Sequence, residues 1–244
     1  MKRKYYTYIS SLILSISFIF SAYAEIDKLQ EESMFDEALK LCELNYNDND
    51  IEIMWRMARS YFDISDQTSD EKIQKINIDK ALPFAKSALE LNPLSAKANH
   101  WYAVIIGKQG VLEGTKQKII NSYEVREYGL KAIELDPNYD GTYHLMGRWH
   151  YNIADLAWYE RTIASAIYAT PPNGSFEEAA TYFSKASEAN PDDIRHYLWL
   201  AKSHYQMSNY MDSKLILDKA LKLDINNDSD KLLLTQVKEL YKKL

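Results

Sequence analysis

The segment Ala132-Ile-Glu-Leu-Asp-Pro137 recurs, with small changes, at the end of successive apolar-periodic segments. Two copies are Ala88-Leu-Glu-Leu-Asn-Pro93 and Ala186-Ser-Glu-Ala-Asn-Pro191, and Ala220-Leu-Lys-Leu-Asp-Ile225 is a fourth copy without the proline. Each copy begins with a small residue, has an apolar residue three positions later, and then has an Asn or Asp at the expected end of the helix. Proline cannot continue a helix, since it lacks an N–H and clashes with the preceding turn. The pattern predicts a series of repeated helices.

A second motif follows these endings. Tyr143-His-Leu-Met-Gly-Arg-Trp-His150 has the aromatic-x2-Leu-Gly-x2-Tyr spacing of the first helix of a tetratricopeptide repeat, and Tyr197-Leu-Trp-Leu-Ala-Lys-Ser-His204 has it again. Trp55-x2-Ala58-x2-Phe62 is a third copy, and Asn99-x2-Tyr102-Ala103 is a weaker fourth. We therefore predict an all-α, tetratricopeptide-like α-solenoid with lengthened helices and insertions between them. Residues 25–244 would form four to five helix pairs and a C-terminal capping helix.

The spacing of the repeats is uneven. The first two proline-to-proline intervals are 44 and 54 residues, whereas a standard unit has about 34. We place the extra residues within helix pairs, at 63–80, 107–118 and 151–178. Because residues 143–169 contain no proline and no glycine after Gly147, we expect one long helix ending at Thr170. Ser175 is the expected N-cap of the next helix, with Glu178 completing a capping box, and Ser229 is the expected cap of the last helix.

Composition excludes several classes of function. The chain has 244 residues with 7 Gly and 6 Pro beside 19 Tyr, too few turn residues for a sandwich or barrel. A net charge of −6 makes nucleic acid an improbable main partner, because phosphate binding needs clustered positive charge. The single cysteine, Cys42, rules out an intramolecular disulfide and a cysteine-based zinc site. Phosphate loops, H-E-x-x-H and G-x-S-x-G motifs are also absent from the sequence. We expect a non-catalytic protein without cofactor or metal.

Residues 1–24 have the pattern of a cleaved signal peptide. A Lys2-Arg-Lys4 head precedes an apolar stretch at Ile9–Phe20, and Ala22-Tyr-Ala24 provides the small-x-small cleavage pattern before Glu25. The apolar stretch would span about 18 Å as a helix, less than the roughly 30 Å of a hydrocarbon core. We therefore favour cleavage over the alternative, an uncleaved N-terminal anchor. The expected product is periplasmic or secreted, without stable membrane insertion. Loss of three cations and no acid lowers the net charge from −6 to −9.

The region from His100 to Ile225 is similar to the regulator of microtubule dynamics family, including its uneven insertions. The likeness is carried by His100-Trp-Tyr-Ala-Val104, Ile120-Asn-Ser-Tyr123, Lys131–Pro137, His144-Leu-Met-Gly-Arg-Trp149, Leu156-Ala-Trp158, Pro171-Pro172, Glu178-Ala179 and Tyr182-Phe-x-Lys-Ala186. The resemblance implies a tetratricopeptide-like fold with a binding or tethering role and no catalysis. Eukaryotic members are associated with microtubules and organelle contacts. A cleaved leader would place this protein away from microtubules, so we transfer the fold and the class of function, not the partner.

The first helix of each pair usually lines the concave side of such a solenoid. The residues predicted to leave the packing positions there carry four fixed positive charges and no acid: Arg56, His100, Val104, His144, Arg148, Tyr151, Asn152, Arg195, Lys202, Tyr205 and Gln206. Arginine can bind a carboxylate through two parallel hydrogen bonds, and tyrosine adds contact area with a polar tip. We hypothesise a groove for a protein or peptide partner that bears acidic residues or a free C-terminal carboxylate.

Three alternatives to this groove stay open at the level of sequence. The cations could be ordinary solvated residues of helix surfaces. The chain could be a hydrolase or metal-dependent enzyme with a cleft around His100, His144 and His150. Finally, it could be a homo-oligomer whose groove holds its own tail, Lys242-Lys-Leu244.

Overall fold

The computed structural model describes residues 22–156, 161–162, 165 and 172–244. Most of the expected leader therefore lies outside the described residues. Regular secondary structure in the described ranges is helical throughout: α1 (22–31), α2 (Phe35–Leu44), α3 (Ile51–Asp66), α4 (Glu71–Leu91), α5 (Ala96–Leu112), α6 (Thr115–Leu135), α7 (Asp140–Ala154), α8 (Phe176–Ala189), α9 (Ile194–Gln206), α10 (Tyr210–Ala220) and α11 (Asp228–Tyr241). No described helix combines the length and apolar character needed to cross a membrane.

The helices pack as consecutive pairs. α3 lies against α4, α5 against α6, α7 against α8 and α9 against α10, and each pair also contacts the next. Helix α11 packs on α9 and α10, where Val237 and Leu240 join the buried cluster of Leu198 and Leu217. The predicted all-α, tetratricopeptide-like solenoid of helix pairs is confirmed. Two of the expected insertions are largely taken up by helix lengthening, since α4 and α6 each have 21 residues.

The repeated ending behaves as predicted in its three proline-containing copies. Asn92, Asp136 and Asn190 each donate a backbone N–H to the alanine carbonyl four residues earlier, at 2.9–3.1 Å. The fourth copy differs, because α10 ends at Ala220 and not at Asp224. Here the Ala220 carbonyl accepts the N–H of Leu223 at 3.3 Å, so a turn replaces the last helical turn.

The expected long helix over 143–169 is wrong. Helix α7 begins at Asp140 and ends at Ala154, and residues 155 and 156 are no longer helical. The Arg161 guanidinium donates to the Ile153 carbonyl in the last turn of α7. Gly174 also approaches closely, because a Cβ at that position would lie 2.8 Å from Ile153 Cβ. The helix thus ends where the local sequence would allow it to continue, and contacts from Arg161 and Gly174 occupy its last turn. Part of the expected helix, and Pro171, lie outside the described residues.

One expected cap is confirmed and one is wrong. Ser175 Oγ accepts the N–H of Glu178 at 3.1 Å, as predicted for the start of α8. The last helix is capped by Asn227 and not by Ser229, since Asn227 Oδ1 accepts the N–H of Asp230 at 2.9 Å. Both residues can cap a helix, so only the position of the turn distinguishes them.

Ser229 instead joins the two ends of the solenoid. Its Oγ lies 3.1 Å from Ser33 Oγ, in the turn between α1 and α2, although the two serines are 196 residues apart. Asn227 Nδ2 adds a hydrogen bond of 3.1 Å to the Glu31 carbonyl in the same place. The superhelix is therefore wound tightly enough for its N-terminal turn to meet its last helix.

Two buried glycines mark close helix crossings. A Cβ at Gly147, within α7, would lie 2.6–2.8 Å from three ring atoms of Phe183 on α8. Phe183 is fully buried and its ring is rigid, so the repeat requires glycine there. A Cβ at Gly129, within α6, would meet the Met146 sulfur at 2.6 Å. That side chain is flexible, so the second crossing has room to adapt.

Candidate functional site on the concave surface

The first helices of the pairs share one inner surface. Direct contacts join these helices to one another. Arg59 of α3 lies 5.9 Å from the centroid of the Trp101 ring of α5, and His100 Nδ1 of α5 lies 3.2 Å from Thr142 Oγ1 of α7. His144 Nδ1 of α7 lies 3.0 Å from His196 Nδ1 of α9. These helices belong to four successive pairs, and their inner faces point toward one another. We call this the concave surface and define it by Arg59, Asp63, Lys97, His100, Tyr139, His144, Arg148, Arg195, Trp199 and Lys202.

Arg56 is a structural residue and not a groove cation, which corrects the sequence hypothesis. Its guanidinium makes two hydrogen bonds of 2.7 and 2.8 Å to Asp27 of α1 and another of 2.7 Å to Glu52. Only 8% of its side chain is exposed. The face of the guanidinium also packs on the Trp55 ring, 4.0 Å from its centroid. Arg56 therefore ties α1 to α3 and has no free donor face for a partner.

Arg195 points into the concave surface but is already paired. Its Nη2 lies 2.5 Å from Asp193 Oδ2, and its Nε donates to both oxygens of the same carboxylate at 2.9 and 3.0 Å. Asp63 and Asp140 share this region, and burial raises the pKa of Asp63 to about 6 despite the nearby Arg59. The expectation of an acid-free groove is therefore wrong, because aspartates accompany its cations.

Arg148 and Lys202 differ from these paired cations. The Arg148 guanidinium carbon lies 3.8 Å from the centroid of the Trp199 ring, and Lys202 Nζ lies 4.2 Å from it. Among the described residues neither cation forms an ion pair. Lys202 Nζ donates a hydrogen bond of 3.2 Å to Gln236 Oε1. Arg148 Nε is buried and has no hydrogen-bond partner among the described residues. Burial lowers the pKa of Arg148, and burial, Arg148 and Lys243 lower the pKa of Lys202 to about 8.

Two further predicted residues complete this group. Gln206 Nε2 donates to Tyr151 Oη at 3.1 Å, and the Tyr151 ring meets the Trp199 ring edge-on at 5.1 Å. We call Arg148, Tyr151, Trp199, Lys202 and Gln206 the Trp199 cluster. The sequence argument missed Trp199, because the repeat pattern assigns the aromatic residues of this helix to packing. The signal that could have found it is its position three residues before Lys202 on the same helix face.

The remaining predicted residues do not join the cluster. Tyr205 packs into the last repeat and contacts the Tyr210 ring edge-on at 5.4 Å. Val104 packs against the cluster around Trp101 in the second pair. Asn152 is half-buried on α7. The tail residue Leu244 packs against its own last repeat, so within this chain the tail does not fill the groove.

The three histidines proposed for a catalytic cleft do not converge. His100 is buried with Nδ1 3.2 Å from Thr142 Oγ1, and burial lowers its pKa to about 3. His150 stacks on the Tyr182 ring on the other side of α7, with Nδ1 2.9 Å from the Glu178 carboxylate. His144 instead contacts a histidine that the sequence argument did not include. The enzyme alternative is therefore not favoured by the geometry.

That histidine is His196, which lies between His144 and Asp140. His196 is fully buried; its Nδ1 is 3.0 Å from His144 Nδ1 and its Nε2 is 3.0 Å from Asp140 Oδ2. Burial opposes ionisation of Asp140, but the hydrogen bond and charge of His196 outweigh it and lower the pKa of Asp140 to about 2. Asp140, Asp193 and His196 also offer ligand atoms within 4.8 Å of one another. The Arg195 guanidinium already neutralises Asp193, which makes this a poor cation site.

Comparison with known proteins gives concordant results for sequence and structure. Residues 22–244 match the model of the family described as regulator of microtubule dynamics protein 1-3. Regulator of microtubule dynamics protein 1 of Bos taurus is 35% identical over 220 residues, which are 89% of this chain and 69% of that protein. The Caenorhabditis elegans protein of the same name is 30% identical over 224 residues, 91% of this chain and 99% of that one.

Among solved structures, a thermophilic TPR protein of Thermus thermophilus superposes with a TM-score of 0.63. It is 14% identical, and the match covers 90% of this chain and 97% of that one. At this identity the likeness shows a shared fold, namely the tetratricopeptide solenoid already visible in the helix pairs.

Proposed function

Since this chain belongs to the regulator of microtubule dynamics protein 1-3 family and has a tetratricopeptide-like fold, which together indicate a protein-interaction scaffold, we propose that it binds a carboxylate-bearing peptide at the Trp199 cluster without catalysing a reaction. The partner would carry acidic residues or a free C-terminal carboxylate. Family and fold are both typical of interaction modules that lack enzymatic activity.

The observation that carries this proposal is the pair of cations stacked on Trp199. Both side chains are partly buried, and neither has a carboxylate partner among the described residues. Two positive charges that are close together and partly buried raise the free energy of the folded protein unless an anion binds beside them. A bound carboxylate would neutralise the cluster and satisfy the buried Arg148 Nε. The indole face, with the Tyr151 ring beside it, would provide apolar contact for the rest of the peptide.

Charge reversal on the cluster tests the proposal. The full chain with Arg148→Glu or Lys202→Glu would be compared with wild type in a pull-down from an envelope extract, with Lys219→Glu as the matched control. Lys219 is a cation on α10, outside the concave surface. Proteins retained by wild type and by the control should be lost from both cluster variants, and synthetic peptides from their C-termini and acidic segments should bind wild type only. Retention of the same proteins by all four forms would overturn the proposal.

We propose further that the domain is exported after residues 1–24 are removed. The support is the cationic head, the short apolar stretch and the Ala22-x-Ala24 pattern in the sequence. Cleavage there would remove Tyr23, whose Oη donates to Asp50 Oδ2 at 2.6 Å and whose ring lies 4.9 Å from the Arg56 guanidinium. N-terminal sequencing of the protein isolated from its native cells decides the matter. A start at Glu25 supports export, and retention of the leader overturns it.

A further inference from the structure

The concave surface contains a third cation that forms no ion pair among the described residues, besides the two of the Trp199 cluster. Resting on the proposed function, we infer that Lys97 binds a second carboxylate of the same peptide, that of an aspartate or glutamate about four residues before its C-terminus. We call Lys97 and Trp101 of α5, together with Tyr139 at the start of α7, the Lys97 subsite. An extended peptide would then run from the Trp199 cluster along α7 to α5.

The surroundings of Lys97 resemble those of the cations in the Trp199 cluster. Its Nζ lies over the Tyr139 ring, 2.9 Å from the centroid, and 5.9 Å from the centroid of the Trp55 ring. The side chain is half-buried. Four residues later on α5, Trp101 has a buried Nε1 that donates to no group of the described residues. An entering carboxylate would neutralise the ammonium group, and the Trp101 N–H is a further unused donor on the same helix face.

The aspartates of this region have other partners. Asp63 accepts a hydrogen bond of 3.3 Å from Arg59 Nε, and Asp140 Oδ2 lies 3.0 Å from His196 Nε2. Burial and the charge of Arg59 lower the pKa of Lys97 to about 8, although three aspartates act in the opposite direction. The charge of Lys97 is therefore only partly compensated within the chain, and an added anion would stabilise it.

Helix α7 sets the distance between the two subsites. Tyr139, which lies against Lys97, precedes Arg148 of the Trp199 cluster by nine residues. At about 1.5 Å per helical residue these positions are about 14 Å apart. An extended peptide advances about 3.3 Å per residue, so about four residues cover this distance. Arg195 lies in the same region but is held by Asp193, so it offers no free charge to the peptide.

Peptides that differ only in the position of one aspartate test this spacing. The probes are N-acetylated nine-residue peptides of glycine and serine with a free C-terminus. One aspartate is placed one, four or seven residues before the last residue, and a fourth peptide has serine instead. The three isomers share composition and charge, so only geometry distinguishes them. One charge-assisted hydrogen bond predicts that the middle isomer binds wild type about tenfold more tightly than the serine peptide. The other two isomers should gain much less.

The variant Lys97→Met connects this preference with Lys97. Methionine keeps an unbranched apolar side chain and removes the charge. The variant should bind the serine peptide as wild type does and lose the preference for the middle isomer. Lys219→Met removes a cation of α10, outside the concave surface, and should keep the preference. In wild type, the side-chain NMR signals of Lys97 should shift with the middle isomer and not with the serine peptide.

The outcomes separate the two proposals. If the serine peptide binds but the three isomers bind equally well, or if Lys97→Met keeps the preference, the inference is wrong while the carboxylate site stands. If no peptide shifts the side-chain signals of Arg148 or Lys202, the proposed function fails and the inference fails with it. If Lys97→Met does not fold, the signals of Lys97 in wild type decide, and their insensitivity to the bound middle isomer overturns the inference.

Discussion

His100 should make the fold sensitive to mild acid. Its side chain is buried in the second helix pair, 4% exposed, with Thr142 beside Nδ1 and the rings of Trp101 and Tyr139 packed edge-on against it. Burial, reinforced by the charge of Lys97, lowers its pKa to about 3. In the unfolded chain the same imidazole has a pKa of about 6.5. Between these two values the unfolded state binds a proton that the folded state excludes.

The size of the effect follows from this difference. The contribution is fully present above about pH 6.5, and it is lost progressively as the pH falls toward 3. Each pH unit within that window costs about 1.4 kcal/mol, so lowering the pH from 7.5 to 5 should reduce the free energy of unfolding by about 2 kcal/mol through His100 alone.

Urea unfolding followed by far-ultraviolet circular dichroism at pH 7.5 and 5 measures this loss. In His100→Gln the loss between the two pH values should be about 2 kcal/mol smaller than in wild type. Any constant cost of the substitution cancels in this difference, and the contribution of His144 is common to both proteins. Lys219→Gln, which removes an exposed cation of α10 and no imidazole, is the control and should retain the wild-type loss. An equal loss in wild type and His100→Gln would refute the reasoning.

Three further perturbations address the packing of the solenoid. Gly147→Ala should lower the free energy of unfolding by about 1–3 kcal/mol, because the added methyl group meets the rigid phenyl ring of Phe183. Gly129→Ala should lower it less, because the flexible Met146 thioether can move. Thermal unfolding of both variants measures the two losses, and an equal or larger loss for Gly129→Ala would contradict the prediction. The double variant Ser33→Cys/Ser229→Cys should form a disulfide in the oxidised full chain, since the two serine Oγ atoms are 3.1 Å apart. Failure to cross-link on non-reducing gels would show that the turn after α1 and the last helix do not meet. Arg56→Met should lower the free energy of unfolding measured in urea by about 2 kcal/mol, because the carboxylates of Asp27 and Glu52 lose their cation. An unchanged free energy of unfolding would show that the buried ion pair contributes nothing to stability.

The repeated helix pairs could be predicted because their signals are local. An Asn-Pro or Asp-Pro pair follows the helix end in three of the copies, although Pro83 is accommodated inside α4. The small residue of each ending is buried at a helix crossing in all four copies. The extent of α7 could not be predicted in this way. Its local sequence permits a longer helix, and the end of α7 coincides with contacts that Arg161 and Gly174 make to Ile153. The same holds for the cap of α11, where two adequate capping residues compete.

The candidate site was predictable in part. Four residues of the hypothesised groove, Arg148, Tyr151, Lys202 and Gln206, lie around Trp199, because all four belong to the first helices of neighbouring pairs. It could not identify Trp199 as their common support, nor connect His144 with His196 across 52 residues. Contacts of this kind depend on how two helices are rotated against each other, and the repeat pattern contains no such information.

The class of structure could be predicted from local patterns alone: a helical-repeat solenoid, acidic overall, with cations on its first helices. These properties follow from composition and from spacing along a single helix. Only the tertiary structure decided which cations are free to meet a partner. Arg56 is neutralised by Asp27, 29 residues away in sequence, and Arg195 is held by Asp193, while Arg148 and Lys202 stack on an indole without an acid among the described residues. The physical reason is that an ion pair depends on distance in space, and that distance is set only when the helices pack.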